Sequence, residues 1–142
     1  MEIMKIFFAG SIRGGRGMLP VYIRIIEMLK IQGHTVVSEH VASEVLEEIE
    51  AKITDEEIFN NDTGYIDECE CLVAEVTIPS IGVGYEIGYA VMQGKHVLCI
   101  YREDAKISAM LRGNRRIISV PYMNMEELEH IFTTHLQLKI KQ

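Results

Sequence analysis

Short apolar runs alternate with stretches of helical periodicity along the whole 142-residue chain, and no other feature narrows its fold as much. Strands are expected near 3–9, 34–38, 71–76, 96–101 and 117–120. Between the first two, 20–32 places Val21, Ile25, Met28 and Leu29 on one face and stops at Gly33. The acidic stretch 43–70 reads as two helical pieces, because Thr54-x-x-Glu57 has the form of a capping box that restarts the chain. Helices at 83–94, about 105–112 and 124–137 complete the pattern, the last opened by Asn124 with Glu127 in the capping arrangement. Strands with such continuous apolar character are covered by helices on both faces. The expectation is therefore an α/β fold: a Rossmann-like, doubly wound, five-stranded parallel sheet in the order 2-1-3-4-5, in one domain over 1–142.

In such a sheet, ligands bind beyond the carboxyl ends of the strands, at the switch point between strands 1 and 3. Two loops must then face one crevice. The first is Gly10-Ser11-Ile12-Arg13-Gly14-Gly15-Arg16-Gly17, in which glycines let backbone N–H groups approach a ligand and the next helix points its positive end back at the same place. That combination suits an anion. The second is Thr77-Ile78-Pro79-Ser80-Ile81-Gly82-Val83-Gly84-Tyr85-Glu86, where Ser80 offers a hydroxyl and Gly82 an accessible backbone N–H. Neither is a standard nucleotide fingerprint: the first lacks the Lys-Ser/Thr pair of a Walker loop, and its glycines miss the GxGxxG spacing.

Charge and composition exclude other classes. A formal net charge of -7 argues against a general nucleic-acid binder, so the loop arginines matter by position. Nothing approaches the ~20 consecutive apolar residues of a membrane span, and no signal-peptide pattern opens the chain, so a cytoplasmic protein is expected. Cys69, Cys71 and Cys99 are too few and too apolar in setting for a disulfide framework or a zinc site, and read as core residues. Met28, Met92 and Met110, on apolar helical faces, read the same way.

Glu86 lies in the first turns of the helix after the second loop. A carboxylate beside an anion site repels the ligand next to it; either it serves only the helix N-terminus, or chemistry needs it as a nucleophile or base. Asp62, in the polar knot Phe59-Asn60-Asn61-Asp62-Thr63 read as the end of an acidic helix, is a second acid. Paired carboxylates, one nucleophile and one proton donor, are what cleavage of a glycosidic bond requires.

Taken in order, GSIRGGR, SEHVA (Ser38–Ala42), VAEVT (Val73–Thr77), PSIGVGYE (Pro79–Glu86) and ISAMLRG (Ile107–Gly113) resemble the 2'-deoxynucleoside 5'-phosphate N-hydrolases, of the nucleoside 2-deoxyribosyltransferase superfamily. The likeness spans nearly the whole chain. It implies a hydrolase, without metal or organic cofactor, that splits a nucleoside 5'-monophosphate into free base and sugar 5-phosphate. By that resemblance Glu86 attacks the anomeric carbon and carries a covalent sugar intermediate, Asp62 assists near the base, and Gly10 to Arg16 with Ser80 hold the phosphate. It further implies a homodimer in which Ser108 reaches the phosphate of the neighbouring subunit, and it extends the substrate-binding set to His40 and Met110. Read without it, Ser108 is an ordinary N-terminal helix residue and His40 a histidine at a strand end.

One departure stands out. The family's Tyr-Phe-Cys-Gly-Ser pattern is here Phe7-Phe8-Ala9-Gly10-Ser11, so Phe7 stands where a tyrosine would, and relaxed selectivity between ribose and deoxyribose is expected. Two other classes stay open: a transferase handing deoxyribose to another base, and a nucleotide sensor without turnover.

Overall fold

The computed structural model describes residues 3–11, 17–38 and 46–137, with the Glu47 side chain left aside. Five strands run in parallel: β1 (Lys5–Gly10), β2 (Thr35–Val36), β3 (Cys71–Glu75), β4 (His96–Arg102) and β5 (Ile117–Tyr122), in the order β2-β1-β3-β4-β5. Among the described residues six helices join them: α1 (Leu19–Ile31), α2 (Leu46–Glu50), α3 (Asp55–Glu68), α4 (Ile81–Met92), α5 (Ala109–Arg112) and α6 (Met125–His135). The expected sheet order and handover between strands 1 and 3 are both present.

The period-2 alternation of a strand splits the core in two. Ile6, Phe8, Val73, Leu98 and Ile100 join Tyr22, Ile25 and Leu29 of α1 with Leu128 and Phe132 of α6. On the other face, Phe7, Leu72, Ala74, Val97 and Cys99 pack with Ile66 of α3 and with Val83, Ile87 and Ala90 of α4. All five β3 residues are buried, which is why its sequence shows no polar alternation. The three cysteines are free and buried, and burial raises the pKa of each. Among the described residues, no helix is long and apolar enough to cross a membrane.

Local signals explain most boundaries. Thr54 Oγ1 accepts from Glu57 N at 3.1 Å and Glu57 Oε1 accepts from Thr54 N at 3.3 Å, the reciprocal box that starts α3 after the short α2. Gly33, at φ +99°, closes α1 with its N–H on Lys30 O at 2.9 Å. Asn124 Oδ1 accepts from Glu127 N at 2.9 Å to open α6, while the Glu127 carboxylate accepts from Met123 N at 3.1 Å rather than from the cap residue itself.

Several expectations need correction. The edge strand β2 pairs over two residues only, Lys5 with Thr35 and Ile6 with Val36. Beyond them Ser38 Oγ takes over the pairing with β1, accepting from Phe8 N at 2.6 Å and donating to Phe8 O at 2.9 Å. At the opposite edge, β5 carries Pro121, which has no N–H to offer. Helix α5 is one turn, not eight residues, because Ser108 caps it there and 105–108 is not helical. Met92 and Met110 are not core residues: they are 79% and 81% exposed, the first on the outer face of the last turn of α4, the second on a helix too short to bury a face. Met28 is half-buried and packs against the α1 side of the core.

At the end of β1, a Cβ on Gly10 would fall 2.8 Å from two atoms of the Tyr22 ring, while the Tyr22 hydroxyl accepts from Ser11 N at 3.0 Å. Tyr22, itself fully buried and 5.5 Å from the Phe8 ring, cannot swing aside. Gly10→Ala is therefore expected to lower stability by about 1–3 kcal/mol through overpacking, measured as a fall in the denaturant midpoint.

Candidate active site

A cavity of about 790 Å³ opens beyond the carboxyl ends of β1 and β3. Its floor is Gly10 and Ser11, and one wall is the start of α4 with Ser80, Gly82, Val83, Tyr85 and Glu86. The facing wall is Glu50 of α2 together with Asp55, Ile58, Phe59, Asp62 and Thr63 of α3. Residues at 55, 58/59 and 62/63 recur at one helical turn, so α3 turns a single stripe to the cavity while Ile66 of the same helix enters the core. Asp62 thus sits in the middle of α3 and not at a helix end, because that packing carries the helix straight through the polar knot.

Asp62 and Glu86 are both half-buried, and their side chains are joined by a hydrogen bond. Burial, then the charge of Asp62 and this bond, and last the charge of Glu50, push Glu86 up to about 9. At neutral pH Glu86 therefore keeps its proton, shared with Asp62 across that bond.

Ser80 caps α4, its Oγ accepting from Val83 N at 3.3 Å, which leaves the hydroxyl hydrogen free to donate at a helix N-terminus. Ser11 lines the floor although nearly fully buried, and its own N–H is already committed to Tyr22. Ile12, Arg13, Gly14, Gly15, Arg16 and His40 lie outside the described residues. Phe7 is fully buried in the core on the α3 and α4 side and does not line the cavity. It shares that core cluster with Ile66 of α3 and with Val83 and Ile87 of α4.

Ser108 and Met110 are not brought to this cavity. They line a second one, of about 650 Å³, on the far side of the segment from Pro79 to Val83, which forms part of both. There Ser108 Oγ accepts from Met110 N at 3.1 Å, capping α5.

Beneath the second loop lies a buried group to which the sequence reading gave no role. Glu75, with no exposed surface, accepts from Thr77 N at 2.6 Å through Oε1 and from Thr77 Oγ1 at 2.9 Å through Oε2. The Tyr122 hydroxyl donates to the same Oε2, and Thr77 Oγ1 accepts from Arg102 N at 3.0 Å. Burial raises the Glu75 pKa, and these donors and the nearby Arg102 charge partly offset the rise. The ends of β3, β4 and β5 are tied together at the root of the loop that leads to Ser80.

The profile of the nucleoside 2-deoxyribosyltransferase family matches residues 6–131. A protein of Methanococcoides burtonii, carrying the provisional name 2'-deoxynucleoside 5'-phosphate N-hydrolase 1, is 47% identical over 111 residues, covering 78% of this chain and 91% of the relative. The 5-hydroxymethyl-dUMP N-hydrolase of Danio rerio is 37% identical over 143 residues, covering 97% and 99% of the two chains. Among solved structures, the CMP N-glycosidase of Clostridium botulinum superposes with a TM-score of 0.67 at 19% identity, over 92% of this chain and 98% of its own, and so shares the fold.

Proposed function

We propose, from the premise that this chain belongs to the nucleoside 2-deoxyribosyltransferase family, that it hydrolyses the N-glycosidic bond of (2'-deoxy)nucleoside 5'-monophosphates to free base and (deoxy)ribose 5-phosphate. The observation that carries this reading is the hydrogen-bonded pair Asp62 and Glu86 in a cavity that also opens onto the N-terminus of α4. Two carboxyls in contact leave no room between them for an attacking water, which favours a nucleophile and its proton partner over an inverting pair.

In the proposed sequence Glu86 passes its proton to Asp62 and becomes the carboxylate that attacks C1'. The C1'–N bond breaks as the C1'–O bond to Glu86 forms, and Asp62 gives its proton to the departing base. Water then attacks C1'. Its proton returns to the carboxylate pair, the ester bond breaks, and the sugar 5-phosphate leaves. The phosphate binds at the α4 N-terminus and the Gly10–Gly17 loop, with Ser80 donating and Arg13 and Arg16 supplying charge. Held there, it serves as a remote handle that positions C1' against Glu86.

A homodimer completes the site in this reading. Ser108 and Met110, placed apart from the cavity of their own chain, would serve that of a second copy. Ile81 and Met110, 95% and 81% exposed beside the second cavity, are the apolar surface such a contact would cover.

The test is release of free base from ribo- and deoxyribonucleoside 5'-monophosphates and from the corresponding unphosphorylated nucleosides. Release that requires the 5'-phosphate is expected. Exchange of one base for an added second base would show a transferase, and binding without release would show a sensor; either result overturns the proposal.

A further inference from the structure

One wall of the cavity is unexpectedly apolar. Phe59 of α3 and Tyr85 of α4 remain 49% and 59% exposed, although large aromatic side chains are ordinarily among the first to be buried. Their rings meet edge to face, with centroids 6.0 Å apart and planes at 66°. Both line the cavity, and Ile58 extends the same surface. The hydroxyl of the adjacent Thr63 donates to Phe59 O at 2.8 Å, so its hydrogen is spent on its own helix.

The position of this wall relative to the carboxylates limits what can rest on it. Phe59 is three residues before Asp62 on α3, hence its neighbour on the helix surface, and Tyr85 precedes Glu86 directly on α4. The phosphate end of the cavity, at Gly10, Ser80 and Gly82, lies elsewhere on its lining. In a nucleotide the base is bonded to C1', the atom Glu86 must reach, while the phosphate hangs from C5' on the other side of the sugar. A nucleotide with its phosphate at the α4 N-terminus and C1' at Glu86 therefore has its base beside Phe59 and Tyr85.

Resting on the function proposed above, we propose that Phe59 and Tyr85 are the seat of the nucleobase, with Phe59 the main stacking surface. Stacking on an aromatic side chain needs only the π-face that every base carries, and it contributes about 1–3 kcal/mol per base, equivalent to roughly 5- to 150-fold in affinity. Two fused rings cover more of the Ile58, Phe59 and Tyr85 surface than one. Purine monophosphates are thus held more tightly than pyrimidine monophosphates.

Titration calorimetry in the Glu86→Gln background, which binds without turnover, alone and combined with Phe59→Ala or Phe59→Tyr, against dAMP, dCMP and ribose 5-phosphate tests this, since the last carries sugar and phosphate but no base. Phe59→Ala is expected to weaken dAMP by at least about fivefold, to weaken dCMP less, and to leave ribose 5-phosphate unchanged, with Phe59→Tyr restoring dAMP. Equal loss for ribose 5-phosphate would mean that Phe59 merely shapes the cavity, and would overturn the seat. So would unchanged dAMP binding, or a loss for dCMP as large as for dAMP. Because binding is read directly, the base seat can stand or fall whether or not the chain turns the nucleotide over.

Discussion

Glu86→Gln is expected to lower base release a thousandfold or more, on the order seen when a nucleophile is removed, and at the same time to raise the melting temperature at pH 7. The two effects share one cause. Glutamine cannot form the bond to C1', but it also carries no charge to bury. Burial and Asp62 raise Glu86 from an ordinary 4.5 to about 9 in the folded protein. Below 4.5 both folded and unfolded chains hold the proton and Glu86 carries no penalty. Between that value and about 9 the unfolded chain releases the proton more readily, so the wild type loses stability as pH rises through this window. The melting-temperature advantage of Glu86→Gln should accordingly be small near pH 4.5 and grow toward pH 9, read by thermal melts across that range. A variant more stable at every pH, by a constant margin, would contradict the raised pKa. The same shift predicts that kcat/KM of the wild type falls as pH rises through about 9, where the carboxyl pair loses the proton that Asp62 must hand to the departing base.

The largest loss of stability is expected from Glu75→Ala, at about 3 kcal/mol, read from denaturant unfolding. The substitution leaves the Tyr122 hydroxyl, Thr77 N–H and Thr77 hydroxyl facing a fully buried site from which their shared acceptor has gone. Glu75→Gln keeps the volume but presents an amide N–H₂ to one of three donors, so a smaller loss of about 1–3 kcal/mol is expected. Activity should fall in both variants chiefly through KM, since Thr77 stands three residues before the cap of α4. A variant with full stability would show that the donors find other partners.

How much of this could be read in the chain varies with the range of the interactions. The sheet order was legible because strands buried on both faces announce themselves as apolar runs, and the start of α3 because Thr54 and Glu57 are three residues apart. Glu86 was legible because its carboxylate sat oddly beside a glycine-rich, anion-suited pattern. The short extent of β2 was not: the Ser38 hydroxyl that replaces the ladder acts on Phe8, thirty residues away. Nor was Glu75, whose partner Tyr122 is 47 residues on and whose local setting is an apolar strand. Phe59 and Tyr85 carry no local mark at all, since an aromatic residue destined for a cavity wall looks in sequence like one destined for the core. Met92 and Met110 failed in the opposite sense, as apolar residues that the fold leaves outside.

The two ends of the sheet bear on how this protein behaves at high concentration. An open parallel sheet has two exposed margins, each able in principle to recruit a strand from another molecule and so to seed polymers. Here one margin is two residues long and finished by a serine side chain, and the other is interrupted by Pro121. Among the described residues, neither offers an uninterrupted row of backbone donors and acceptors. Both margins are thereby poor templates for a further strand, and a substitution that restored a continuous margin, Pro121→Val for instance, is expected to favour strand addition at that edge while leaving the cavity untouched.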